Sequence, residues 1–340
     1  MPKLPMTLAL VGATGEVGRA ALDALDQLDL PVKALRPFAS PRSAGELVEF
    51  QGDDLRVAPL ADGAFRGCDV ALFCAGAEVA REWAPRAWAE GCAVVDVSPA
   101  FRADGEVPLV VAELNAEAIA AFRARGVVAT PGPTATAVAL ALAPLRAAGI
   151  ERVVVSTYEP ASGAGRAGVA ELEREARDLL GLKEPDPAAR FPHRLAFNLI
   201  PQVGAFGEGG ATDEEEGIAR DARRVLGAPE LRLTATAVRV PVFYGEAVAV
   251  NVTTREKLGV QEARELLRTA PGVKIVDTPG EGIYPMPMLA ANEDAVLVGR
   301  LREDRSQARG LDLFLVVENT RKGAATNALQ IARVLAEQHL

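Results

Sequence analysis

The stretch Leu8-Ala-Leu-Val-Gly12-Ala-Thr-Gly15-Glu-Val-Gly18-Arg19-Ala-Ala-Leu-Asp-Ala-Leu25 decides the reading of the first half of the chain. A short apolar run reads as a buried strand. Three glycines follow at once, and apolar residues then return at helical spacing. Strand, glycine turn and helix in that order are the setting a dinucleotide-binding loop requires. Gly12 permits the tight turn, Gly15 lets the backbone approach a pyrophosphate, and Gly18 allows close packing of helix on strand. The helix N-terminus then faces the anionic phosphates. The cofactor residues expected here are Gly12, Thr14, Gly15, Glu16 and Val17.

Working outward, a second strand at Val32–Leu35 leads into Phe38-Ala-Ser40-Pro-Arg42-Ser43-Ala-Gly45. An acidic residue at the end of this strand would grip the ribose hydroxyls of NAD(H). None is present. Ser40, Arg42 and Ser43 instead offer a guanidinium and two hydroxyls suited to a 2′-phosphate, which favours NADP(H) over NAD(H). The other reading of Arg42 is a solvated loop charge. Further buried strands at Asp69–Phe73 and Ala93–Asp96 flank a helix at Ala80–Glu90, so the sheet is parallel and doubly wound.

A chain of 340 residues exceeds one ordinary core, and two domains are expected. The formal net charge of -9 argues against a general affinity for nucleic acid or an anionic membrane. No apolar run approaches the roughly 20 residues of a membrane span. The N-terminal run Met1–Leu10 flows into the glycine turn and not into a cleavage site, so no leader is expected. The three cysteines, Cys68, Cys74 and Cys92, lie in the first third at spacings that suit neither a metal nor a disulfide framework. They read as reduced, core-filling thiols of a cytoplasmic protein.

Several motifs in order give the chain a resemblance to the aspartate-semialdehyde dehydrogenase family: Gly12-Ala-Thr-Gly-Glu-Val-Gly18, Arg42-Ser-Ala-Gly45 and Ser98-Pro-Ala-Phe-Arg102. Ser156-Thr-Tyr-Glu-Pro-Ala-Ser-Gly-Ala-Gly165, Phe197-Asn-Leu-Ile-Pro201, Arg239-Val-Pro-Val242, Gly299-Arg-Leu-Arg302 and Arg321-Lys-Gly-Ala-Ala-Thr-Asn327 extend it over nearly the whole sequence. The resemblance implies an α/β Rossmann dinucleotide-binding domain (residues 1–128) and an α+β catalytic and dimerisation domain (129–317). A C-terminal piece (318–340) would carry a helix at about Ala324–Glu337 that returns to the first domain. It also implies a homodimer, a role in amino-acid biosynthesis, and Asn319 as a further cofactor residue. The family reduces aspartyl phosphate with NADPH: a thiolate attacks the acyl phosphate, and the resulting thioester accepts hydride. A histidine moves the protons, a glutamine supports the cysteine, and two arginines hold the substrate.

The positions that should carry this chemistry differ. The family's Asn-Pro-Asn-Cys segment aligns with Thr130-Pro131-Gly132-Pro133, so Pro133 stands where the nucleophile belongs and lacks even a backbone N–H. Thr134 and Thr136 are the nearest hydroxyls; either needs an adjacent base, and Thr134 is expected to cap the following helix. The histidine position, seven residues after Arg239, is Glu246, and the glutamine position is Glu159. Glu246 serves as a base if desolvation raises its pKa; otherwise both are ordinary carboxylates. Gly217 replaces a phosphate-binding lysine, within the acidic run Thr212-Asp-Glu-Glu-Glu-Gly217, which is expected to be a solvated helix face. Arg102 and Arg239 remain as substrate-binding residues, the second in a strand-like run from Leu231 to Phe243. His193 and His339 match no catalytic position, and no metal site is expected.

The expected function is therefore a dimeric NADP(H)-binding member of this family without its phosphorylating dehydrogenase reaction. The alternative is a non-covalent, NADPH-dependent carbonyl oxidoreductase on a small acidic substrate, with Glu246 or Glu159 exchanging the proton. The partner expected is a small anionic metabolite, not nucleic acid or membrane. Leu182–Arg190 reads as an exposed loop.

Overall fold

A computed structural model describes residues 4–28 and 30–340. The first three residues of the N-terminal run Met1–Leu10 therefore lie outside the described residues. The chain forms two compact units, one running to Gly132 and including Ala324–Leu340, the other Pro133–Gly323.

The first unit contains β1 (Met6–Val11), α1 (Glu16–Gln27), β2 (Val32–Ala39), β3 (Leu47–Phe50), β4 (Asp53–Arg56), β5 (Ala58–Pro59), β6 (Val70–Phe73), α2 (Ala77–Ala89), β7 (Ala93–Asp96), α3 (Ala112–Asn115) and β8 (Val127–Ala129). Six of these strands make one parallel sheet in the order β5-β2-β1-β6-β7-β8, while β3 and β4 pair as a small antiparallel ribbon. Every residue of β1 is buried, as in a sheet covered on both faces. The parallel nucleotide-binding sheet read from the sequence is the one observed.

The second unit contains α4 (Pro133–Leu142), β9 (Ile150–Tyr158), α5 (Gly165–Leu180), α6 (Asp213–Val225), β10 (Arg232–Thr236), β11 (Glu246–Thr254), α7 (Val260–Arg268), β12 (Val273–Ile275), β13 (Val296–Glu303) and β14 (Gly310–Val317). Its sheet is mixed, in the order β10-β9-β11-β14-β13-β12. The outer pairs β10–β9 and β12–β13 are parallel, and the central pairs are antiparallel. Helix α4 is buried from Thr134 through Leu142 and packs on β11, β13 and β14, which is why it has no polar face.

Three expectations about elements change. The strand expected over Leu231–Phe243 stops at Thr236. Pro241 has no N–H for a ladder, and the segment instead makes single bridges from Arg239 to Glu159 and to Ile200. The C-terminal helix α8 (Thr326–Val334) is shorter than expected, flanked by wider π turns at Arg321–Ala325 and Leu335–His339. It joins the first unit: Ala328, Leu329, Ile331, Ala332 and Leu335 share a core with Leu8, Leu10 and Leu25. Asn327 fixes its start, accepting from the Ala112 N–H and donating to the Val110 carbonyl, both at 2.9 Å. Finally, the unit boundaries fall at Gly132 and Gly323, not at 128 and 317. Thr130 N–H still donates to the Asp96 carbonyl of the first unit (2.9 Å), and Gly323 N–H closes a turn onto the Glu318 carbonyl of the second (3.1 Å).

The Leu182–Arg190 segment has no helix or strand, and Leu182 is 97% exposed. Its end is held by Glu171 of α5, which accepts from the N–H groups of Ala189, Arg190 and Phe191.

Candidate functional site

The glycine loop of the first unit has the geometry of a phosphate cradle. Gly12 sits at φ +88°, and a Cβ there would lie 2.7 Å from the Cys74 carbonyl oxygen. Both restrictions demand glycine. A Cβ on Gly18 would run into the Gly12 carbonyl, so α1 approaches β1 only because that side chain is absent. The Gly12 N–H donates to the Phe38 carbonyl (2.7 Å), tying the loop to β2. Gly15 is the N-cap of α1 and supplies no capping side chain, which suits a helix end that receives an anion.

The residues after β2 are brought to the same loop. Thr14 Oγ1 donates to Ser43 Oγ at 3.2 Å, and Ser40 and Arg42 are exposed beside that link. Gly12, Thr14, Gly15, Glu16, Ser40, Arg42 and Ser43 thus gather at the C-terminal ends of β1 and β2. Val17 differs: its side chain packs against the core, leaving only its backbone for a ligand. Asn319 is held in the second unit, its Oδ1 accepting from the Gly245 N–H (3.2 Å) and its Nδ2 donating to Ser162 Oγ (3.0 Å). The residues present fit a dinucleotide on the observation that side chains are sterically barred from the Gly12 and Gly18 positions.

Arg102 also belongs to the first unit. Its Nε donates to the Thr130 carbonyl (3.0 Å) and its Nη2 to the Val97 carbonyl (2.7 Å), so much of the guanidinium braces backbone. Its charge, with that of Arg81, opposes a larger effect of burial on Asp96, whose carboxyl is pushed up to about 6. Burial likewise raises the Cys68 and Cys74 thiols, which fits inert core cysteines.

In the second unit Pro133 occupies the first position of α4, where its missing N–H costs no hydrogen bond. Gly323 packs against it; a Cβ at 323 would come within 2.6 Å of Pro133 Cβ. Thr134 does not cap the helix as expected. It is the second helical residue, and its hydroxyl donates to Glu246 Oε1, at the start of β11. The burial of that carboxylate explains the change, because an acid removed from water takes the nearest donor.

Glu159 follows β9 and is held by main-chain bonds to Val238 and Val240, which set it beside Arg239. Arg239 Nη2 lies 3.4 Å from Glu159 Oε2, and Nη1 donates to the Pro160 carbonyl at 2.6 Å. Thr157 Oγ1 donates to Glu159 Oε1 at 3.1 Å. Gly163 makes room for the guanidinium: a Cβ there would stand 2.6 Å from Arg239 Nη1. Thr134, Glu246, Glu159 and Arg239 are exposed by only 1%, 4%, 5% and 7%, so their charges interact with little screening by water.

Neither glutamate is an ordinary carboxylate. Burial raises Glu246 to about 7, against the opposing Thr134 hydrogen bond and Arg239 charge. Glu159 is raised well above its usual value by burial first, then by repulsion from Glu246 and Glu214, with Arg239 and Thr157 opposing. Glu214 is the residue the sequence reading missed. The acidic run is not all solvated face: Thr212 caps α6 in a reciprocal box with Glu215, whose other oxygen takes the Ala237 N–H (2.9 Å). Glu214 is half-buried and its charge reaches both Glu159 and Glu246. The signal was its place four residues before buried Ile218, on the inward stripe of the helix.

Gly217 lies on α6 without a charge to offer a phosphate. His193 is exposed, and His339 rests edge-on to Phe122 in the first unit. Among the described residues, no group of three or more potential ligands is placed to hold a metal, and no helix is long and apolar enough to cross a membrane.

A parallel-sheet unit with a glycine loop, together with a mixed-sheet unit holding a buried Arg–Glu pair, defines a two-domain protein of the nucleotide-binding class. Residues 7–122 match the family described as semialdehyde dehydrogenase, NAD binding domain, and residues 142–322 match semialdehyde dehydrogenase, dimerisation domain. The chain is 42% identical over 335 residues to an aspartate-semialdehyde dehydrogenase of Aquifex aeolicus, covering 98% of each chain. It is equally similar, at 42% over 335 residues and 98% coverage of both, to that of Synechocystis sp.. The crystal structure of aspartate semialdehyde dehydrogenase II from Vibrio cholerae superposes with a TM-score of 0.95 at 38% identity, over 98% of this chain and 99% of that one. The chain belongs to the aspartate-semialdehyde dehydrogenase family.

Proposed function

We propose that this chain binds NADP(H) and has lost the phosphorylating, covalent dehydrogenase reaction of its family, forming a branch without the catalytic cysteine and histidine. The observation that carries the reading is position 133. The first residue of α4 is a proline, and Cys68, Cys74 and Cys92 all belong to the first unit. Without a thiolate no thioester forms, and hydride has no acyl acceptor. The changes at 159 and 246 work in the same direction. Three acids, Glu159, Glu214 and Glu246, lie close enough to repel one another, and the guanidinium of Arg239 already pairs with Glu159. An acyl phosphate brings negative charge to a site whose acids already resist ionisation, and Gly217 supplies nothing to offset it.

The exposed Arg42 and the hydroxyls of Ser40 and Ser43, with no acid at the end of β2, support NADP(H) in preference to NAD(H). The dimerisation-type second unit carries exposed Phe197, Leu199, Phe206 and Met288, apolar surface that supports a homodimer. A cytoplasmic protein with a small metabolite as its remaining ligand accords with the net charge and the three free thiols. The test pairs calorimetric titration with NADPH and NADH against an assay with aspartate semialdehyde, phosphate and NADP. Binding without turnover is the expected result.

A further inference from the structure

The Thr134 hydroxyl donates its proton toward Glu246 Oε1, which is the arrangement of a nucleophile and its general base. Thr134 is the second residue of a ten-residue helix, so its own N–H and that of Ala135 have no intrahelical acceptor and point out of the helix start. Such donors stabilise the oxyanion of a tetrahedral intermediate. The other charged groups facing Glu246 are Glu159, Glu214 and Arg239, and Arg239 is itself held by Glu159 and the Pro160 carbonyl.

We propose that Thr134 and Glu246 form an acyl-transfer pair, so that the second unit hydrolyses small carboxylic esters with an uncharged acyl group. In the first half-reaction Thr134 Oγ bonds to the carbonyl carbon while its proton passes to Glu246. The tetrahedral oxyanion rests on the Thr134 and Ala135 N–H groups. Collapse breaks the bond to the leaving alcohol, which takes the proton from Glu246. Water then attacks the Thr134 ester, gives its proton to Glu246, and releases the carboxylic acid as Thr134 recovers its hydrogen. Nothing is oxidised or reduced. A phosphate leaving group would oppose the ionisation that Glu246 needs as a base, where a neutral alcohol does not, and this sets the substrate class.

This activity goes beyond the loss of dinucleotide-linked chemistry proposed above, and the two fail separately. The probe is p-nitrophenyl acetate with the full-length chain, following nitrophenolate release and mapping acetylated peptides after an acid quench. The expected result is acetyl on Thr134 in the folded protein and not in the heat-unfolded chain. Turnover should rise as Glu246 loses its proton, persist in Thr134→Ser, and fall roughly 100-fold in Thr134→Val and Glu246→Gln. No acetyl on Thr134, or turnover unchanged in either crippled variant, overturns the proposal. If Thr134→Val fails to fold by circular dichroism, the acetylation map and Glu246→Gln decide the matter. NADPH titration of the same preparation is unaffected by either outcome.

Discussion

Replacing Glu246 by glutamine removes a buried charge but keeps an oxygen to accept the Thr134 hydroxyl. The carboxyl goes from an ordinary value of 4.5 to about 7 on folding. An acid with a raised folded value binds its proton more tightly in the native state, so its contribution is most favourable below about pH 4.5. It is lost as pH rises from there to about 7. The full difference corresponds to about 3 kcal/mol at complete ionisation. For a unit of this size about 1 kcal/mol moves a midpoint by roughly 2–4 °C. Wild type should therefore lose roughly 5–10 °C more than Glu246→Gln between about pH 5 and pH 8. Thermal unfolding by circular dichroism across that range measures it, and the comparison cancels titrating groups that do not interact with Glu246, such as Asp96. Equal slopes for the two proteins, or a steeper one for the variant, would refute the burial argument for this site.

Other expected outcomes follow from single contacts. Arg42→Ala should weaken NADPH about 10-fold or more while leaving NADH binding nearly unchanged, since a charged hydrogen bond contributes about 1.5–3 kcal/mol; calorimetry with both dinucleotides checks this. Gly163→Ala should cost about 1–3 kcal/mol in urea unfolding by pressing on the Arg239 guanidinium, which Pro160 and Glu159 keep from moving aside. Thr212→Ala should lower stability by about 1 kcal/mol through loss of the α6 capping box, with dinucleotide affinity unchanged in the same titration.

What the sequence disclosed was local chemistry. Gly12, Gly15 and Gly18 lie within one turn of each other, and their spacing alone states which backbone they allow. The short continuous apolar runs of β1, β6 and β7 did the same for the parallel sheet. Pro133 could be read as a replaced nucleophile only through the family resemblance, which marks the position where a cysteine belongs. The site's electrostatics were different. Thr134 and Glu246 are 112 positions apart, and they meet only because buried α4 packs against β11. Thr134 was read as a cap because capping is the local use of a threonine at a helix start; burial of a distant carboxylate overrode it. The acidic run of α6 looked solvated because charge counts do not say which residue turns inward. The strand expected through Arg239 ends at Thr236, and that early end lets Arg239 bridge to Glu159 rather than remain in the ladder.

The measurement that bears most directly on the central claim is NADP reduction by the purified chain with aspartate semialdehyde and phosphate, on protein shown by calorimetry to bind NADPH. No phosphate-dependent reduction is predicted from a chain with proline at 133 and glutamates at 159 and 246. Phosphate-dependent turnover at the rate of a cysteine-bearing relative assayed alongside would contradict the account.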